Sequence, residues 1–390
     1  MKMKSSRREF LGAASMAAGA YVARPALLAA QRAPVGRVAV GVCPEYNQQV
    51  ADVMSTLFDQ LGGIQKLVAG KTVAIKVNLT GTATDRLLYL EPGMSHWVHP
   101  QVIYALVYLL GRSGAQRIRL LESPWETAEP LEEFMIAAGW QPAQFQNAAR
   151  RVEFENTNYL GSGKNYARLM VPGGGLLFTG YDVNHSYQDC DVFISLTKMK
   201  QHLTAGITLS IKNCFGILPC TIYGSFAPSD EPGLVPLSGR MPFHNGSRLP
   251  PTSTPPAVEA DSPYLLQGGY RVPRAIADLA AARPIHLSII DAIYTMSGSE
   301  TPNPRINMPV HPGLLIAGTN CVSTDAVSMA LMGFDPLADR GTFPFETADN
   351  TLLLAERLGV GSPDLSRIEV AGPPISKVRF DFRKVKPTAA

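Results

Sequence analysis

The densest polar run in the chain is Ser195-Leu196-Thr197-Lys198-Met199-Lys200-Gln201-His202, directly after the apolar residues 192–194. Lys198, Lys200 and His202 are spaced i, i+2, i+4. In an extended segment all three project from one side, and in a helix Lys198 and His202 still share a face. Either way cationic or titratable groups converge, which suits an anionic ligand group such as phosphate or carboxylate. The bland alternative is a solvated basic turn, which the flanking apolar chain argues against. Lys212 and Asn213 fall inside the otherwise apolar residues 207–218. A lysine among Ile211, Cys214, Phe215 and Ile217 must snorkel or find a partner. Buried, it would lose basicity and become a base or Schiff-base former. At a helix end near Gly216 it would instead bond backbone carbonyls.

Lys76 and Asn78 lie in TVAIKVNL, residues 72–79, on the face opposite Val77 and Leu79. A lysine between Ile75 and Val77 needs a facing carboxylate or bound anion, unless the strand is an edge and the lysine faces water. Acidic partners sit at other strand ends: Glu122, Asp291 in SIIDAIY and Asp325 in TNCVSTDAVSMALMG, with Glu300 in the loop after Asp291. Asp325 is equally suited to the first turn of a helix capped by Ser323 or Thr324. The combined expectation is a cleft in which Lys198, Lys200 and Lys212, supported by Lys76, Asn78 and Asn213, hold an anion. His202 would act as acid or base, with Lys212 and Asp291 beside it. Asp291 with Asp325 or Glu300 would hold a divalent metal or a substrate hydroxyl. A non-catalytic binding protein using the same groups, and plain internal ion pairing, are the alternatives.

The other histidines carry less. His96 and His99 form a His-x-x-His pair that could take a metal, yet His99 precedes Pro100 and also suits a helix cap. His286 falls in a strand, and His244 and His311 fall in loops. No GxSxG, P-loop, GxGxxG or HExxH occurs, and Gly173-Gly174-Gly175 reads as a turn.

The elements that must position these groups alternate between strand and helix. Residues 38–42, 72–79, 117–121, 191–196, 285–290, 314–317 and 367–370 read as strands, and 204–215, 323–332 and 351–358 as helices. QVIYALVYLLGRSGA opens on Pro100 and stops at Gly114, between two of those strands, which makes a βαβ unit with a parallel pair. Residues 168–171 and 176–179 read as a small hairpin. The expected fold is therefore α/β: a mostly parallel sheet with flanking helices in Rossmann-like layers, a small antiparallel addition and a long Pro-rich insertion. The domain spans residues 31–372, as one unit or as lobes 31–190 and 191–372, with a tail at 373–390. The insertion, residues 219–273, has eleven prolines in 55 residues, which exclude a long helix or central strand there. A loop of that length suits a lid over the cleft or a surface excursion.

The chain has 390 residues, 46% hydrophobic and 17% charged, a globular composition. Residues 1–30 read as a secretory leader: Lys2 and Lys4, then Arg7-Arg8, a short weakly apolar run, and Ala29-Ala30 for cleavage. The paired arginines indicate the twin-arginine route, with the twin-arginine translocase as partner during export. The destination would be the periplasm or the exterior, with no stable membrane anchor. The leader carries Lys2, Lys4, Arg7, Arg8 and Arg24 against Glu9, so its removal takes Lys+Arg from 35 to 30 and Asp+Glu from 32 to 31. The basic balance then disappears, and with it the case for nucleic-acid binding. The five cysteines include no CxxC, so no cysteine-ligated iron–sulfur cluster is expected. Cys214 and Cys220 are near enough in sequence to pair in an oxidising compartment.

Taken together, KVNL at 76–79, LTKMKQHLTAGITLSIKNCFGILP at 196–219, IIDAIYTMSGSETP at 289–302 and LLIAGTNCVSTDAVSMALMGFDP at 314–336 resemble the DUF362 family. These are bacterial and archaeal proteins of unassigned biochemistry, and the resemblance runs from about residue 38 to 372. Its most specific part is the KxKxH…KN block. It implies an α/β fold whose polar residues Lys198, Lys200, His202, Lys212, Asn213, Asp291 and Asp325 gather in one cleft, and it supplies no reaction. Some members carry a ferredoxin-like domain with cysteine-rich cluster motifs. This chain has no cysteine after Cys321, so the redox label is not carried over.

Overall fold

The structure is a computed structural model that describes residues 32–125, 127–228, 231–236, 239–246 and 262–385. The expected leader lies outside the described residues. The strands in chain order are β1 Val38–Val42, β2 Thr72–Lys76, β3 Arg117–Glu122, β4 Val152–Asn156, β5 Ala167–Met170, β6 Gly180–Val183 and β7 Val192–Lys198. They continue as β8 Lys200–His202, β9 Gly206–Thr208, β10 Leu287–Ala292, β11 Thr295–Met296, β12 Pro309–Val310, β13 Leu314–Gly318 and β14 Val370–Ala371. The helices that matter below are α1 Gln49–Gln60, α2 Pro100–Arg112, α3 Leu131–Ala137, α4 Ser210–Asn213, α5 Gly268–Ala282, α6 Cys321–Met332 and α7 Thr351–Arg357.

One eight-stranded sheet organises the chain, in the order β14-β1-β13-β10-β7-β2-β3-β4. All of its strands run the same way except β13, which is antiparallel to both neighbours. The α/β expectation with small antiparallel additions holds: β5–β6, β8–β9 and β11–β12 are separate two-stranded pairs. Strands from residues 31–190 and 191–372 hydrogen-bond within this one sheet through β2 and β7, so the halves do not form separate lobes.

Side-chain alternation divides the core into two layers. Val73 and Ile75 of β2, Val192, Ile194 and Leu196 of β7, and Leu287 and Ile289 of β10 face one layer, with Leu57 of α1, Leu106 of α2 and Phe134 of α3. Ala74, Phe193 and Ile290 face the other, with Ile276 of α5, Val327 of α6 and Leu352 of α7. Helix α2 starts as expected, with Pro100 in its first turn and the His99 side chain accepting from Gln101 N.

Several boundaries differ from the sequence reading. The stretch expected to be helical at 204–215 is a strand, β9, then the single turn α4 and a 3₁₀ turn. Buried Asp325 receives the Ser210 and Ile211 N–H groups and so fixes where that turn begins. The second hairpin strand is Gly180–Val183 rather than 176–179. Residues 176–178 instead direct their backbone N–H groups at Asp278. Within 219–273, Pro273 is built into α5, and Cys220–Tyr223 and Met241–His244 are short turns. The expected tail is packed: Phe382 is buried and Phe380 N donates to Leu331 O. All five cysteines are free and buried, so Cys214 and Cys220 are not paired here. Among the described residues no helix is long and apolar enough to cross a membrane.

Candidate ligand-binding site

From β2 the chain proceeds outward to β3 and β4, and β7 then returns to pair with the other side of β2. The sheet order thus reverses at β2, and open α/β sheets place ligand crevices at such switch points, beyond the carboxyl ends of the strands. A cavity of about 400 Å³ lies there. It is bounded by Lys76 at the end of β2 and Asn78 just beyond it, Glu122 at the end of β3, His202 at the end of β8, and Lys212, Asn213 and Gly216 around α4. Arg240 and His244 of the Pro-rich insertion and Glu300 complete much of the wall.

Its floor is a buried ion pair. Lys76 Nζ lies 2.5 Å from Glu122 Oε1, with side-chain exposures of 1% and 5%. Lys76 Nζ also donates to Val77 O and Asn213 Oδ1, while Glu122 accepts from Leu79 N and Ser123 N. Asn213 ties the floor together: its amide donates to Lys76 O, Ser195 Oγ and Leu196 O, and its oxygen receives Asn78 Nδ2. Asn78 Oδ1 and Trp125 Nε1, both in the lining, are buried without hydrogen-bond partners.

Lys212 is different from Lys76. Among the described residues its Nζ makes no ion pair or hydrogen bond; it lies over the Phe215 ring, 5.0 Å from the ring centre. Burial and the neighbouring Arg240 and Lys76 charges draw its pKa down to about 8, against the pull of Glu300. Arg240 likewise meets no carboxylate: Nε donates to Leu218 O and Nη2 to Ser123 O and Oγ. The formal charges of the lining balance, with Lys76, Lys212 and Arg240 against Asp85, Glu122 and Glu300. Their placement does not balance, because Lys76 and Glu122 cancel locally and Asp85 accepts from Thr82 N in its own loop.

His202 Nδ1 accepts from both Thr204 N and Ala205 N, so the neutral ring carries its proton on Nε2 and presents a donor. Burial and the nearby Lys212 push its pKa down to about 3. At Glu300 burial opposes ionisation, but His202, the Leu203 N–H and Lys212 outweigh it and hold the carboxyl at about 2. At neutral pH the pair is a neutral imidazole beside a carboxylate.

The structure does not bring every expected residue to this cavity. Lys76, Asn78, His202, Lys212, Asn213 and Glu300 line it, whereas Lys198, Lys200, Asp291 and Asp325 do not. Lys198 and Asp291 are register neighbours on β7 and β10 and face the α2 layer, where they pair with each other at 2.9 Å. Lys200 Nζ lies behind the wall, donating to Thr80 Oγ1, His96 O and Glu300 O. Asp325 caps α4 from the far side. The proposed metal set of Asp291, Glu300 and Asp325 is therefore dispersed, and no group of three or more His, Cys, Asp or Glu among the described residues is placed to hold a metal. His99 caps α2 and stacks on Tyr46 at 3.6 Å, with His96 bonded to Ser95 Oγ. Sequence reasoning missed Arg240 and Trp125. Trp125 follows Glu122 just past a strand's carboxyl end, which is a usable signal; nothing around Arg240 marks it.

A family model described as "Domain of unknown function (DUF362)" matches residues 73–330. A thylakoid-associated protein of Synechocystis sp. is 24% identical over 311 residues, 79% of this chain and 74% of that protein. Among solved structures, the lactate racemase apoprotein of Thermoanaerobacterium thermosaccharolyticum is similar at 13% identity and a TM-score of 0.33, covering 72% of this chain and 55% of that one. A structural-genomics protein from Thermotoga maritima gives 15% identity and 0.33, over 69% and 54%. The chain thus spans little more than half the length of either structure.

Proposed function

We propose that this chain, which belongs to the DUF362 family, binds a small anionic molecule or cofactor in the cavity at the β2–β7 switch point. The observation that carries the reading is Lys212, whose ammonium lines the cavity and, among the described residues, forms no ion pair with a carboxylate, Glu300 acting on it only at longer range. An unpaired charge in a partly desolvated site is costly, and a bound carboxylate or phosphate removes that cost. Arg240 Nη1 and His202 Nε2–H add donors, and about 400 Å³ suits a small molecule. Calorimetric titration with phosphate and a panel of small carboxylates tests this. At least one should bind, and Lys212→Met should weaken it at least tenfold with the fold intact. Equal binding by the variant overturns the reading.

The second reading is a non-catalytic binder. It is favoured by His202, whose Nδ1 is committed to two backbone N–H groups, leaving a donor where a general base needs a free basic nitrogen. His202→Gln, which keeps a donor, should then retain binding.

For location we propose twin-arginine export to the periplasm or beyond, from Arg7-Arg8 and the run that follows. Replacing both arginines by lysine should leave the precursor in the cytoplasm, and unchanged export would overturn it.

A further inference from the structure

We propose that Lys212 is a nucleophile that condenses reversibly with the carbonyl group of a small monoanionic 2-oxo acid, forming an imine in the cavity. The inference rests on the anion-binding reading and names a substrate class for the same site.

The four lysines near the site differ in how their nitrogens are committed. Lys76 is bound to Glu122, Val77 O and Asn213. Lys198 is surrounded by Asp291, Tyr46, Gly93 O and Tyr294 O, and Lys200 by three oxygens. Lys212 alone of these has a nitrogen held by no oxygen and open to the cavity. An amine beside other cations, against an aromatic ring and partly desolvated, is the setting in which a lysine supplies its neutral form. The lowered pKa of about 8, caused by burial and then by Arg240 and Lys76 against Glu300, agrees with that.

The rest of the lining fits both ends of a 2-oxo acid. Arg240 keeps Nη1 uncommitted and His202 turns Nε2–H outward, donors for a carboxylate and for the oxygen that gains charge as nitrogen adds. Trp125 Nε1 is a further donor without a partner. Ionised Glu300 is the nearby proton acceptor, and the balanced formal charge of the lining favours one anionic group over two. In the step itself the Lys212 nitrogen bonds to the carbonyl carbon and the carbonyl π pair moves to oxygen, which takes a proton. The carbon–oxygen bond then breaks, and oxygen departs as water with, in sum, both amine protons. No oxidant, reductant or cofactor is consumed.

The test is borohydride trapping on the full chain with pyruvate and with 2-oxobutanoate, read by intact mass and peptide mapping. Titration with 2-hydroxybutanoate runs in parallel, as an anion of the same size without a carbonyl. The expected result is one reduced adduct per chain, mapped to Lys212 and absent in Lys212→Arg, a variant that keeps the charge but has no amine able to form the imine. No adduct, or label spread over surface lysines equally in both proteins, overturns the imine. If 2-hydroxybutanoate and phosphate still bind, only the imine falls; if no anion binds, the function proposed above falls with it.

Discussion

Lys198 and Asp291 stand opposite each other on adjacent parallel strands and form an ion pair at 2.9 Å in which both side chains have 0% exposure. Asp291 also accepts from Tyr46 Oη and His99 N, which ties the β7–β10 ends to the segments before α1 and α2. Removing one member of such a pair leaves a buried charge, at a cost of about 3–5 kcal/mol. Asp291→Ala should lose about that much in urea unfolding, while folded protein keeps its anion affinity because Asp291 is not in the cavity wall. Unchanged stability with lost binding would contradict this placement.

Gly216 is where the chain passes closest to the floor pair. A Cβ there would meet Lys76 Cε and Nζ at 2.7 Å and Glu122 Oε1 at 3.0 Å. Neither partner can yield without breaking a buried charge contact, so Gly216→Ala should cost about 1–3 kcal/mol, the range for overpacking. It should also weaken anion binding, since Asn213 hangs on the same lysine. A thermal melt together with a titration checks both.

Binding should depend on pH through Lys212. Its ammonium is complete well below about 8 and is lost as pH rises through that value. Affinity for a non-carbonyl anion should therefore be flat near pH 6 and fall up to about tenfold per pH unit above pH 8. Lys212→Arg should remove the decline, because arginine stays protonated.

Asp325 gives stability an opposite signature to the usual carboxylate. Burial raises its pKa from 3.8 to about 8, against the Ile211 and Ser210 N–H groups that favour the charged form. The folded state thus keeps a proton that the unfolded chain releases. Its contribution is whole below about pH 4 and is lost as pH rises toward 8, with a slope of at most about 1.4 kcal/mol per pH unit. Asp325→Asn should flatten this part of the profile in pH-dependent denaturant unfolding.

Much of this protein is legible in its amino-acid sequence. Alternation in TVAIKVNL and in the run through residue 196 is a local property, and it assigned strands and placed Lys76 with Asn78 on one face. Pro100 after His99 announced the start of α2. Strand β4, VEFEN, alternates apolar and charged residues over only five positions, a run short enough to pass for loop although its pattern is that of a half-buried edge strand. The polar clusters were legible as residue types but not as one site. Lys198 and Lys212 are fourteen positions apart in a polar and apolar stretch that reads as continuous. Only the sheet decides that Lys198, in phase with Leu196, faces the α2 layer and Asp291, whereas α4 carries Lys212 and Asn213 to the other face beside Lys76. Strand parity sets the face, and pairing order sets the neighbour. The first is written in residues two apart; the second depends on contacts across more than a hundred residues, such as Lys76 with Asn213, which no local pattern contains.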